Sequence, residues 1–254
     1  MNVLSAVNLQ KVYGGRDEAN TTKALNGLNL KIESGEFIGV MGPSGSGKTT
    51  LLNILSGIDK PTSGTVEISG KNLIEMDNDQ LAVFRRQKLG FVFQDFNLID
   101  SLTIKENIIL PLILDKRSPE QMEARANAVM SLFEIDGIAD KYPYNVSGGQ
   151  QQRTAVSRAI INHPDIVFAD EPTGNLDSKS STSVMKCLER MNTENNSTIL
   201  MVTHDSFAAS YCKKIIFIKD GTINMEIVRK GTRKEFFDRI LDCLAVLGGE
   251  RNDI

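Results

Sequence analysis

The run Gly42-Pro43-Ser44-Gly45-Ser46-Gly47-Lys48-Thr49 constrains this chain more than any other feature. It fits G-x-x-x-x-G-K-[ST] in full, follows a short apolar run over 36–41 and opens a helical run over 50–56. Strand, glycine turn and helix in that order make a phosphate cradle. The glycines let backbone N–H groups turn inward around an anion without a Cβ clash, and the helix N-terminus adds partial positive charge. Lys48 supplies a mobile cation for β- and γ-phosphates, and the Thr49 hydroxyl can ligate Mg²⁺.

A second feature answers the first. The apolar run Ile166-Val167-Phe168-Ala169 ends in Asp170-Glu171. Buried strands seldom finish in paired carboxylates unless a cation or a proton is handled there. Asp170 is placed to hold Mg²⁺ and Glu171 to polarise an attacking water. A third apolar run, 198–203, reads as another buried strand and is followed by His204. Such strands alternate with helical patterns, so the expected fold is α/β with a mostly parallel sheet.

Several helices announce their starts. Ser118-Pro119-Glu120-Gln121 offers an N-cap, a first-turn proline and a capping box, and Asp77 to Gln80 repeats the box. Met122, Ala126, Val129 and Phe133 then recur at helical spacing and read as a core face. Asp220-Gly221 between apolar runs reads as a hairpin. The stretch of about 95–158 is mostly helical and looks like a subdomain inserted between sheet-forming halves. Ser147-Gly148-Gly149-Gln150 precedes a long helical run, a second helix N-terminus with glycines and a hydroxyl.

Composition narrows the partners. A net charge of −3 over 254 residues gives no reason to expect nucleic acid. Cys187, Cys212 and Cys243 are odd in number and far apart, which suggests neither a disulfide framework nor a zinc ribbon. The longest strongly apolar stretch, 108–114, is interrupted by Pro111 and falls short of the ~20 residues of a membrane span. If the chain serves transport, the channel belongs to another polypeptide.

Val146-Ser147-Gly148-Gly149-Gln150 resembles the signature of ABC ATPases, usually Leu-Ser-Gly-Gly-Gln, with Val in place of Leu. The remaining motifs match in order over about residues 3–225. Tyr13 resembles the aromatic that stacks on adenine. Gln94 in Phe91-Val92-Phe93-Gln94 resembles the glutamine that reaches Mg²⁺ and the attacking water. Asn175-Leu176-Asp177 resembles the D-loop, although Asp177 also suits an N-cap of the helical run after it. His204 resembles the switch histidine at the γ-phosphate.

The resemblance implies a P-loop NTPase (RecA-like) mixed-sheet core with an antiparallel β part, an ATPase cassette over 1–228 and a helical extension over 229–254. It implies ATP and Mg²⁺ as ligands. Gly42, Ser44, Gly45, Ser46, Gly47, Lys48, Thr49 and Thr50 would cradle the phosphates, while Thr49, Gln94 and Asp170 would attend the metal. Ser147, Gly148, Gly149, Gln150 and Asp177 would meet ATP held by a second copy, in a head-to-tail homodimer. Glu171, Gln94 and His204 would serve catalysis. An integral membrane permease would be the partner, docking near Asp95-Phe96-Asn97-Leu98-Ile99-Asp100 at the cytoplasmic face of a bacterial membrane.

Lys48 and Ser147 lie about 100 residues apart, with no room for the long insertion of a DNA-repair ATPase. The run Phe91 to Leu98, with Leu102-Thr103 and Glu106-Asn107, resembles the macrolide-exporter and lipoprotein-release group. So does Phe168-Ala169-Asp170-Glu171-Pro172-Thr173-Gly174. Tyr211-Cys212, Phe236-Phe237 and Val246-Leu247-Gly248-Gly249 are similar to ATPases of bacitracin-type antimicrobial-peptide resistance transporters of Gram-positive bacteria. In the tail, Phe236, Phe237, Ile240, Leu241, Leu244 and Leu247 recur at helical spacing. That stripe must be covered by the chain's own core, a second subunit or the permease.

Overall fold

The structure, a computed structural model, describes residues 1–14 and 21–248. Two sheets form among them. Strands β1 (Asn2–Tyr13), β2 (Thr22–Glu33), β4 (Ser63–Ile68) and β5 (Lys71–Asn72) make an antiparallel sheet in the order β2-β1-β4-β5. The second sheet contains β3 (Phe37–Met41), β6 (Leu89–Val92), β7 (Ile166–Asp170), β8 (Ile199–Val202), β9 (Lys214–Lys219) and β10 (Thr222–Val228). Its order is β10-β9-β3-β8-β7-β6. Every neighbouring pair in it is parallel except β9 with β10. Those two form the hairpin expected at Asp220-Gly221, whose φ angles of 50° and 72° suit a turn with both central residues left-handed.

The parallel strands are apolar through their interiors because both faces are buried there, with Lys214, Lys219 and Asp170 confined to strand ends. Ile38, Val40, Phe168, Leu200 and Ile216 point into one core, shared with β1, β2, β4 and helix α1 (Lys48–Leu55). Phe37, Met41, Val167, Ala169, Met201 and Phe217 point into the other, covered by helices. Period-two alternation therefore sorts residues between two cores rather than between core and water.

Helix α2 (Asn78–Lys88) leads into β6. Between β6 and its parallel neighbour β7 the chain inserts α3 (Ile104–Leu114), α4 (Pro119–Leu132) and α5 (Gly148–Ile160), with short 3-10 turns and no strand among residues 95–158. Capping boxes close at Asp77, Thr103, Ser118 and Ser147, so each helix start is fixed by its own side chains. The stripe on α4 packs as expected, with Ala126, Val129 and Phe133 buried and Met122 against them. Helix α6 (Ser178–Asn195) follows β7 and α7 (Ser206–Ala209) follows β8.

The tail helix α8 (Arg233–Gly248) packs on its own chain. Phe236, Ile240 and Leu247 are buried in the core under the helical side of the parallel sheet, with Cys243 and Leu244 against them. Arg233 lies 4.2 Å over the Tyr211 ring, and Lys219 Nζ donates to the Leu247 carbonyl at 3.2 Å. Leu241 turns outward at 44% exposure. Positions 249–254 of the extension, including Gly249, lie outside the described residues.

Candidate functional site

Because β3, β6, β7 and β8 are parallel, their C-terminal ends share one edge. That edge is where open α/β sheets bind ligands. It brings together Gly42 after β3, Gln94 after β6, Glu171 after β7 and His204 after β8. Strand β8 lies between the phosphate-loop strand and the carboxylate strand.

The loop after β3 depends on backbone that only glycine adopts readily. Gly42, Gly45 and Gly47 have φ of 153°, 77° and 101°. A Cβ on Gly42 would run into the Ile218 carbonyl, and one on Gly47 into the Ala24 carbonyl. The turn at Gly47 starts α1 at Lys48, two residues before the helical run legible in the sequence. Ser46 Oγ is buried without a hydrogen-bond partner inside this loop. An oxyanion fits there, since it would accept from that hydroxyl and from backbone N–H groups converging at a helix N-terminus. Ser44 and Thr49 are exposed and Thr50 is half-buried.

Lys48 Nζ folds back to donate to the carbonyls of Gly42 and Pro43, each at 2.9 Å. Burial holds its pKa below the ordinary lysine range, against the pull of the Glu171 and Asp170 carboxylates. Asp170 shows the mirror image: burial and the neighbouring Glu171 raise its pKa, while Lys48 lowers it. The three groups thus form one electrostatic unit.

Glu171 sits in left-handed backbone, φ 45°, unusual for a residue with a Cβ. The His204 backbone N–H donates to Oε1 and Oε2 at 3.1 and 3.3 Å, and His204 Nδ1 lies 2.8 Å from Oε1. Glu171 is 16% exposed by side chain and His204 74%, so the histidine faces outward from a seated carboxylate. A cavity of about 430 Å³ opens beside them, lined also by Gly174, Leu176 and Thr182.

Gln94 is exposed, and its side chain lies over Gly174, where a Cβ would come within 2.9 Å. Its amide donates to Asn175 Oδ1 at 3.1 Å, and Asn175 Nδ2 donates to Asp95 Oδ1 at 2.7 Å. The glutamine loop and the loop after β7 are therefore stitched together.

Tyr13 stands at the end of β1, 42% exposed, its hydroxyl donating to Asp59 at 2.9 Å and its ring beside Lys11. Ser147 is exposed and caps α5 through its capping box with Gln150. Gly149 is pressed on Ser180 of α6, and Gly148 on Leu176 and Phe96. Asp177 caps α6, accepting from Lys179 and Ser180 backbone N–H at 2.9 and 3.0 Å. Among the described residues no hydrogen bond or ion pair joins 147–150 to 42–50 within the chain.

Two residues of this edge escaped the sequence reading. Gln152 is buried and donates to the Phe93 carbonyl at 3.2 Å and the Pro172 carbonyl at 2.7 Å, tying the end of β6 to the turn after Glu171. Arg158 donates to the carbonyls of Phe96 and Asn97 at 3.0 and 2.6 Å, holding two consecutive left-handed residues. Both lie on α5, where a glutamine and an arginine in a helical run carry no local sign of their targets.

The ABC transporter family model matches residues 25–174, more than half of the chain. The chain belongs to the ABC transporter family. It is similar to an uncharacterised ABC transporter ATP-binding protein, YvcR, of Bacillus subtilis, at 54% identity over 98% of this chain and 96% of the relative. It is also similar to the bacitracin export ATP-binding protein BceA of Halalkalibacterium halodurans, at 47% identity over the full length of both. The solved post-hydrolysis dimer of the Methanocaldococcus jannaschii cassette MJ0796 with ADP and Pi matches at TM-score 0.80. Identity there is 43%, covering 90% of this chain and 100% of that one. The expected mixed α/β cassette with an antiparallel part and a helical insertion is the observed fold, and the chain is an ATP-binding ATPase of a transport system. Among the described residues no helix is long and apolar enough to cross a membrane.

Proposed function

We propose that this cassette hydrolyses ATP in a head-to-tail homodimer and so drives a membrane permease that protects a bacterial cell from bacitracin- or lantibiotic-type peptides. The observation that carries the chemistry is Glu171, seated by His204 and coupled electrostatically to Lys48 and Asp170. Residues 42–50 hold the phosphates, and Tyr13 offers its ring to the base. Glu171 accepts the proton of the attacking water, and His204 and Gln94 sense the γ-phosphate. Thr49, Asp170 and Gln94 would hold Mg²⁺, which when bound neutralises charge on the β- and γ-oxygens. One half-buried carboxylate with a hydroxyl suits a cation that takes its other ligands from phosphate and water.

The dimer reading is supported by Ser147, an exposed cap on a helix N-terminus with no hydrogen bond to its own phosphate loop, and by the solved MJ0796 dimer. The permease reading is supported by a groove of about 380 Å³ whose apolar wall includes Phe91, Phe93, Pro111 and Leu114 beside Arg158. Ile99 of the 95–100 segment is 42% exposed, while Phe96 lies beside Gly148 of the signature. A permease seated there at the cytoplasmic face would feel both glutamine loop and signature move. The peptide class follows the similarity to the bacitracin export protein.

The test is a deletion strain complemented with wild-type or Glu171→Gln gene and challenged with bacitracin and a lantibiotic. The deletion strain should be sensitive, with resistance restored by the wild-type gene and not by Glu171→Gln. Unchanged sensitivity across envelope-active peptides overturns the role, and a lipoprotein-release defect would replace it with that of the sister group.

A further inference from the structure

The outer face of α6 carries a second concentration of charge. Lys179, Lys186 and Arg190 of α6 line a cavity of about 460 Å³ with Arg153 of α5, and the acid on its wall is Glu134. Lys179 and Lys186 are seven positions apart and Arg190 four further on, the i, i+7, i+11 spacing of one helix face. Four cations meet there in a chain whose net charge is −3. Glu134 and Lys186 are exposed, and no hydrogen bond or ion pair joins them among the described residues. Arg190 reaches Glu194 at 3.4 Å, an exposed pair that screens little.

The inner wall has unspent hydrogen-bonding capacity. Arg153 donates through one terminal nitrogen to Ser183 Oγ at 3.0 Å, yet its Nε–H is buried with no acceptor. Buried donors nearly always find one. Ser183 accepts that bond and keeps its own proton to give. The cavity also contains the Cys187 thiol, which burial pushes to about 11 despite Arg153 and Arg190, so it stays neutral and cancels none of the charge.

We propose that this cavity is an anion site for a multiply charged phosphate group, separate from the ATP cradle. Two lysines are compact, mobile donors at its mouth, and a guanidinium with a serine hydroxyl forms its inner wall, the donor set of a phosphate site. An occupant would bridge α5 and α6, the two helices whose first turns carry Ser147 and Asp177. The phosphate can be free in solution or borne on a lipid headgroup.

Titration calorimetry with pyrophosphate tests the free form, on full-length protein saturated with ADP at low ionic strength. Sedimentation with phosphatidic acid vesicles tests the lipid form. In whichever arm binds, Lys179→Glu/Lys186→Glu should weaken affinity at least about tenfold, since two attractions become repulsions. Both side chains are exposed, so the variant should keep its fold. Lys48→Ala should retain the binding, which separates this site from the phosphate loop. Lys31→Glu, an exposed charge change of the same sign on β2, should also leave it intact. No binding in either arm, equal loss in Lys31→Glu, or loss in Lys48→Ala overturns the proposal.

Discussion

Replacing Glu171 with glutamine isolates one proton. The two side chains have the same shape, so the left-handed backbone at φ 45° is retained with its strain. The carboxylate accepts from the His204 backbone N–H and lies 2.8 Å from His204 Nδ1. Glutamine keeps a carbonyl for the first contact, and its amide can donate to a neutral Nδ1 in the second. Stability should therefore change by no more than ~1 kcal/mol, the worth of one rearranged hydrogen bond. The lost charge acts elsewhere. Asp170 loses the neighbour that helps raise its pKa, and a repulsion against the phosphates disappears, so ATP affinity should stay or tighten. Removing a general base typically costs about 10²- to 10⁴-fold in rate, or ~2.7–5.4 kcal/mol of barrier. Single-turnover phosphate release should show that loss, fluorescent-nucleotide titration should show retained binding, and gel filtration with ATP should show an accumulating dimer. Hydrolysis within about threefold of wild type would refute the assignment and move the base to another group, with His204→Ala the next variant to make. Lost ATP binding would refute the claim that the substitution is structurally silent.

Lys48→Ala should weaken ATP binding about 10- to 100-fold, the ~1.5–3 kcal/mol of a charge-assisted hydrogen bond, in an equilibrium titration; unchanged affinity contradicts its role. Ser147→Arg should bind ATP as a monomer with wild-type affinity yet show no ATPase and no ATP-dependent dimer, whereas lost monomer binding would place the signature in its own site. Gln152→Leu leaves the buried Phe93 and Pro172 carbonyls without their donor, so a loss of ~2–4 kcal/mol is expected, seen as a thermal midpoint lower by roughly 5–15 °C. Asp170 carries a folded-state pKa raised by burial. A raised carboxyl binds protons more tightly folded than unfolded, so its stabilising effect is complete below the ordinary carboxylate range and is lost as pH rises through the folded value. Asp170→Asn should therefore melt above wild type at pH 7, the gap closing toward pH 3, while ATPase activity disappears; a lower melting point at pH 7 would contradict that sign.

Features set by short-range chemistry were legible in the order of the amino acids alone. The phosphate loop was legible because three left-handed glycines, a lysine and a helix start fall within eight residues, and the backbone there has few other ways to turn. The capping boxes at Asp77 and Ser118 closed as the three-residue spacing demands, and Asp220-Gly221 turned as a hairpin. Features that depend on neighbours distant in the chain arose only on folding. Apolar runs buried on both faces carry no mark of which strand lies beside which, so only folding placed β8 between β3 and β7 and set His204 against Glu171, 33 positions away. The tail stripe admitted three covers, and the core chose its own by burying Phe236, Ile240 and Leu247. Gln152, Arg158 and Arg153 act on backbone or helices that no spacing rule connects to them. A hydrogen bond or a charge cluster between α5 and its neighbours exists only once the helices pack, because its partners meet through space and not along the chain.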